Sequence, residues 1–333
     1  MGKVERVQWI DVGKGIGMLC VVAGHVSRSD TVIAWLASFH MPLFMFLSGL
    51  VSYCDCQYPK AKVVAKGKGL LKPYYIGAMF SALYYWIVER RFRNIGITLV
   101  QSIFGGGICY LPWMNNSPLW YLWCYFLVIV LFYLLLRVVK NIHIVLIIGI
   151  VLNICYWVFG LNKVMYSFPF EAPRVLDLFV YFSIGVLFKD AFLEYTNRNT
   201  DKKALPMIIS LILVLISICM LRKGFDLIPG LNFSMALIGI IAITNVSLIL
   251  NRNHVLRMIG NNTLFLLCSH VPIFRLVVGV LSIITKTDVD YFRRHILGVL
   301  VITIITVALS LLLMKLINYT LMLWKLRLTE TGG

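Results

Sequence analysis

Charge is what this 333-residue chain has least of. Asp, Glu, Lys and Arg make up only 14% of it, against about a quarter in soluble domains. Acidic residues are the scarcest, 14 against 31 Lys and Arg. With 60% hydrophobic residues and a mean hydropathy of +0.87, an ordinary water-soluble globule is excluded. Metal-ligand spacing is also missing. Cys54 and Cys56 form a pair, but no second Cys or His pair follows at a zinc spacing, so no metal is expected. Most of the other cysteines lie in apolar runs, where a thiol packs as a small hydrophobe. No cleavable signal peptide is evident, because the first apolar stretch carries Asp11 and Lys14 and runs on into a second one, as an anchor does. There is no repeat, low-complexity linker or soluble domain. Gly105-Gly106-Gly107 lacks the Lys-Ser/Thr that a phosphate loop needs and reads as flexibility. The formal charge of +17 sits between apolar blocks and not along one stripe, so no nucleic-acid partner is expected.

What the chain does have is long apolar runs, such as 142–160 and 296–314, each near the ~20 residues a helix needs to cross a bilayer. We predict an all-α, polytopic membrane protein, one domain over 1–333, with about ten helices around a central cavity. The spans are 12–28, 32–53, 70–89, 118–137, 142–160, 173–188, 205–222, 231–250, 262–284 and 294–318. Lys and Arg collect on the N-terminal side of this arrangement, notably Lys60, Lys62, Lys66, Lys68 and Lys72. The positive-inside rule then puts both termini in the cytoplasm. A crossing at 95–111 would erase that bias, so this segment is predicted to lie in or near the outer interface. Arg90, Arg91 and Arg93 are the misfit in the scheme.

Ionisable side chains inside a bilayer are costly and mark function. His25, His40 and His270 qualify, in the first, second and ninth spans. At 1.5 Å per residue they fall at depths that allow all three to line one cavity, although a lone histidine can equally just bond a neighbouring carbonyl. Lys14 precedes His25 by about 16 Å of helix. It would lie near the cytoplasmic surface as a point charge suited to phosphate, with the imidazole deep, where its ordinary pKa suits general-base work. An elongated cofactor with phosphates at one end and a reactive group at the other would span that gap. Asp11 lies about 21 Å from His25 along the helix, too far to orient it, and can pair with Lys14 one turn on. Ser48 is a candidate contact or a packing notch. Trp120 suits the apolar face of a sugar ring or an interfacial belt. Arg275 suits either a carboxylate partner or an anionic substrate. The lysine run ending at Lys72 can draw phosphates to the cytoplasmic mouth or only face anionic lipid.

The stretch from Asp11 to His25, DVGKGIGMLCVVAGH, resembles the first-helix signature of the membrane acyltransferase-3 family, most closely its fucose 4-O-acetylase-like branch. Phe39 to Gly49, FHMPLFMFLSG, is similar to that branch's FHMPLFFFLSG. Leu71 to Tyr74 resembles RLLxPY, Pro118 to Leu122 resembles PLWFL, and Ile259 to Pro272 resembles IGKxSLxIYxxHxP. The matches run in order through most of the ten-span body. The resemblance implies transfer of an acyl group, usually acetyl from acetyl-CoA, to a hydroxyl of a glycan or lipid-linked saccharide beyond the cytoplasmic membrane. The histidine that members of the family need falls on His25. Many members carry arginine ten residues before it, where this chain has Lys14, which cannot make arginine's bidentate phosphate fork. Some members add a soluble C-terminal domain. Here the sequence stops at Gly333, so the membrane body is expected to do everything.

Acyl transfer to an alcohol needs a base for the hydroxyl and donors for the developing oxyanion. His25 is the candidate base, or the nucleophile of an acyl-histidine route. His40 and His270 can orient it, bind the acceptor or donate to the oxyanion, and the residues alone leave that choice open. The competing classes are a transporter or flippase for a lipid-linked saccharide and a non-catalytic scaffold in polysaccharide synthesis.

Overall fold

The computed structural model describes residues 7–52, 54–89, 117–164, 168–199, 204–222 and 230–331. Every regular element among them is helical. The segment 95–111 and the Gly105–Gly107 run lie outside the described residues. The main helices are α1 (Gln8–Val26), α2 (Asp30–Leu50), α3 (Lys60–Tyr84), α4 (Trp120–Val139), α5 (Ile142–Val158) and α6 (Arg174–Leu187). They continue with α7 (Lys189–Asn199), α8 (Ala204–Arg222), α9 (Leu231–Ile249), α10 (His254–Asn261), α11 (Thr263–Thr285) and α12 (Ile296–Thr331).

A helix stands at each of the ten predicted positions, and seven of them are long and apolar enough to cross a membrane: α1, α2, α4, α8, α9, α11 and α12. The other three fall short for stated reasons. The α3 helix carries Lys60, Lys62, Lys66, Lys68 and Lys72, α5 has 17 residues, and α6 has 14. The chain is thus a multi-pass membrane protein by its helices. Two elements differ from the sequence reading. The α10 helix is separate from α11, because Asn262 leaves helical geometry between them. The α12 helix continues well past residue 318.

Burial identifies the centre of the bundle. In α1 and α11, 61% of the span is buried, against 22% for α8. The α1 helix packs on α2, α9, α10, α11 and α12, while α2 adds α6 and α8. The peripheral helices turn large apolar side chains outward, such as Leu211 and Leu215 of α8 and Leu300 and Ile304 of α12. Such a surface suits hydrocarbon and not water. Glycine sets the closest approaches, as is usual between membrane helices. A methyl at Gly260 would overlap the backbone carbonyl of Asp11, and one at Gly15 would overlap that of Leu256. The α10 helix therefore lies directly on the first turns of α1. Gly49 and Gly185 do the same for α2 and α6, which makes Ser48-Gly49 a packing notch.

Candidate active site

Call the end of the bundle that holds the α1 N-terminus the lower end. Three histidines from three buried helices meet above it. The rings of His25 and His270 are 5.4 Å apart between centroids and tilted by 49°. His40 is close enough to His25 for their charges to interact. The rings thus come together as their depths allowed, but the expected single cavity lined by all three is not among the three cavities near them, none of which has a histidine in its lining. His270 is fully buried, while His25 and His40 keep some accessible surface.

Proline follows two residues after two of these histidines, at Pro42 and Pro272. Both His40 and His270 turn Nδ1 back onto their own helix. His40 Nδ1 lies 2.5 Å from the Leu36 carbonyl oxygen and His270 Nδ1 lies 2.8 Å from that of Leu266. A carbonyl only accepts, so each Nδ1 donates.

Two cavities flank the cluster along both α1 and α11. The lower one, of about 270 Å³, is lined by Asp11, Lys14 and Met18 of α1, by Met41, Phe44 and Ser48 of α2, by Tyr121 and Tyr125, and by Asn261 and Leu267. Ser48 hydrogen-bonds the Tyr121 hydroxyl. The upper one, of about 670 Å³, is lined by Arg28, Tyr84, Glu89, Phe274, Arg275, Asp290 and Arg293. Along α1 and the turn after it the order is Lys14, Met18, His25, Arg28, and on α11 it is Leu267, His270, Phe274, Arg275. His25 and His270 thus stand between the two linings. A third hollow, of about 490 Å³, opens on the apolar flank of α3, α11 and α12 and shares Asn261 and Leu264 with the lower cavity.

The upper end is tied to His25 by a residue the sequence reading missed. Arg293 is buried. Its Nε donates to the Val26 carbonyl at 2.8 Å, Nη2 to the His25 carbonyl at 3.3 Å and Nη1 to Asp290 at 2.7 Å. These are carbonyls that a helix C-terminus leaves without partners, and a cation is favoured there. Arg28 closes the clamp, with Nε 3.0 Å from Asp290 and its backbone N–H 2.9 Å from the Arg293 carbonyl. Partial burial pushes the Asp290 carboxyl up, but Arg28 and Arg293 outweigh it and hold it below its ordinary value. Burial and the neighbouring Arg28 lower the Arg293 guanidinium.

The remaining predicted residues are placed as follows. Lys14, Asp11 and Ser48 line the lower cavity together. Lys72 is exposed and lines none of these three cavities. Arg275 pairs with Glu89 through Nε at 2.5 Å and Nη2 at 2.7 Å, and it also faces the upper cavity. Trp120 is buried, with the Arg174 guanidinium 4.1 Å from its ring centre. Arg174 in turn pairs with Glu171 at 2.5 Å and is near enough to interact with His40. Among the described residues, no group of three His, Cys, Asp or Glu side chains is placed to hold a metal.

A family model described as an acyltransferase domain, acyltransferase 3, matches residues 7–315. No curated protein and no solved structure matches the chain.

Proposed function

The chain belongs to the acyltransferase-3 family and is a membrane acyltransferase, and from that premise we propose that it moves an acetyl group from cytoplasmic acetyl-CoA to a hydroxyl of an extracytoplasmic glycan or lipid-linked saccharide. The motifs of the fucose 4-O-acetylase-like branch favour a sugar hydroxyl as acceptor. The lower end then faces the cytoplasm of an inner membrane, with both termini there, in line with the lysines at the start of α3.

One observation carries this reading: on two helices a histidine stands between a lower and an upper cavity. The donor enters from below. Lys14 meets a phosphate of CoA and Asp11 holds the lysine, while the thioester reaches up past Met18 and Met41 towards the rings. The residues present fit such a group, since a cation and several hydroxyl and amide side chains line the same hollow. The acceptor enters from above, where the aromatic faces of Tyr84 and Phe274 and two arginine–carboxylate pairs offer what a saccharide needs. His25 takes the proton of the acceptor hydroxyl as oxygen attacks the acyl carbon. The carbon–sulfur bond then breaks, and the thiolate leaves with that proton.

The test is His25→Ala in the full chain. Acetyl transfer should fall by about 10²–10⁴-fold, the usual worth of a general base, with membrane insertion and acetyl-CoA affinity unchanged. Full activity in that variant would remove His25 from the mechanism. The transporter reading is separated by thiol release from acetyl-CoA, which a carrier does not catalyse.

A further inference from the structure

We propose that His270 is the positioning residue for His25, holding the ring proton of His25 on the side away from substrate through a hydrogen bond to His270 Nε2. The inference rests on the reading of His25 as base and assigns one of the roles that the sequence leaves open.

The argument starts at Leu266. Its carbonyl oxygen lies 2.8 Å from His270 Nδ1 and can only accept, so Nδ1 carries the proton. A neutral imidazole has a single N–H, which leaves Nε2 as a bare acceptor. That nitrogen is buried and has no hydrogen-bond partner, in a residue with no exposed surface. A buried polar atom left unpaired costs about 1–3 kcal/mol, so an orphan beside an active site calls for an explanation. The ring next to it belongs to His25, 5.4 Å away between centroids. Catalytic hydrogen bonds are often long before substrate binds and tighten in the complex. A separation of 5.4 Å between ring centroids is within the range at which an N–H of one imidazole meets the bare nitrogen of another.

His40 has the same Nδ1 pattern but a different setting. His40 keeps some accessible surface, whereas His270 has none, and a tautomer anchor has to be shielded from solvent.

The proton count closes. His25 holds one N–H against His270 and presents the lone pair of its other nitrogen to the acceptor hydroxyl. As the acceptor oxygen bonds to the acyl carbon, the hydroxyl proton moves to that nitrogen. The imidazolium now has two N–H groups, and the one facing His270 strengthens as a charge-assisted bond. When the carbon–sulfur bond breaks, its electron pair goes to sulfur, and the thiolate takes the newly acquired proton from His25. His270 is never protonated at Nε2. Its part resembles that of the carboxylate which holds a catalytic imidazole in the correct tautomer.

Two variants of the full-length protein in detergent separate positioning from proton carriage. Glutamine at 270 can still accept from His25 but cannot be protonated, and leucine can do neither. With methyl fucoside as acceptor, His270→Leu should lower kcat for thiol release from acetyl-CoA by about 100-fold or more. His270→Gln should stay within about tenfold of wild type, and KM for acetyl-CoA should be unchanged in both. Equal losses in both variants, or none in His270→Leu, overturn the proposal. A second measurement needs neither turnover nor a folded leucine variant. In ¹⁵N-histidine spectra of the wild-type chain, with His270→Gln used to assign the signal, His270 should show a protonated Nδ1 and an unprotonated Nε2. The opposite tautomer overturns the proposal even if His25 is the base. If His25→Ala proves fully active while that tautomer is observed, the functional reading fails and the geometry stands.

Discussion

The lower cavity is walled by helices pressed together at glycine, whereas the upper cavity is walled by turns held with ion pairs. Below, α10 rests on the backbone of α1 at Gly15 and Gly260, and the hollow is about 270 Å³. Above, Arg28, Asp290 and Arg293 join two turns that are more than 250 residues apart in sequence, and the hollow is about 670 Å³. Backbone contacts without intervening side chains leave little room to adjust. Ion pairs between turns can be rearranged by repacking a few side chains. Under the proposed function, the smaller, more rigid hollow suits a CoA donor, and the larger one with exchangeable polar groups suits a saccharide acceptor.

The strongest way to break this comparison is to fill each wall with one methyl group. Gly260→Ala would place a carbon against the Asp11 carbonyl, where only backbone could yield. We expect a loss of about 1–3 kcal/mol of stability together with weaker acetyl-CoA binding, because Asp11 and Lys14 share that turn. Gly279 lines the upper cavity, and nothing stands within 4 Å of a methyl there. Gly279→Ala should be neutral or stabilise by up to about 1 kcal/mol, through helix propensity. Thermal unfolding of both variants in one detergent is the measurement. Similar melting shifts would mean that the lower wall is no more rigid than the upper.

Charge removal sharpens the comparison at a smaller scale. Lys14→Gln should raise KM for acetyl-CoA by about tenfold, equivalent to about 1.4 kcal/mol, with the acceptor KM unchanged. Arg275→Gln should do the reverse, raising the acceptor KM only. Steady-state kinetics with each substrate varied in turn decides this. A Lys14 variant with unaltered acetyl-CoA dependence would detach the lower cavity from the donor.

How much of this was legible follows the range of the interactions. Apolar runs report spans directly, so a helix stands at each predicted position. The depths of His25, His40 and His270 followed from counting along helices, and their meeting was foreseeable because helix rise is constant. Arg293 was not foreseeable. Its partners, Val26 and His25, are 267 and 268 residues away and are backbone carbonyls, which leave no mark in the side-chain sequence. For Arg275 a carboxylate partner was one of the two options the sequence offered, but that the partner is Glu89 depends on how the turn after α3 lies against α11. The α10 helix was hidden because its eight residues, His254–Asn261, carry too few apolar turns to stand apart from α11. At Ser48-Gly49 the sequence offered a contact or a packing notch; Gly49 against Gly185 shows the close packing, but the hydrogen bond from Ser48 to Tyr121 needs a partner on a distant helix.

The smallest effect concerns the clamp above His25. Asp290 is partly exposed, with 29% of its side chain accessible, and a pair of this kind is worth about 0.2–1 kcal/mol. Its carboxyl is held below the ordinary 3.8 by Arg28 and Arg293 against the opposing pull of partial burial. A depressed carboxylate stabilises the fold at pH above its unfolded value and loses that contribution as pH falls through the folded one. The turn carrying Arg293 should therefore loosen only below about pH 4 and be indifferent to pH between 5 and 8, read as amide exchange over residues 286–295. Asp290→Asn should show the loosened exchange at every pH, because the amide cannot carry the charge that both guanidinium groups answer. The kinetic consequence should be slight, since Arg293 keeps its bonds to the His25 and Val26 carbonyls. If Asp290→Asn instead cost as much activity as His25→Ala, the upper wall would be as rigid a determinant of chemistry as the lower, and the contrast between the two mouths would have to be given up.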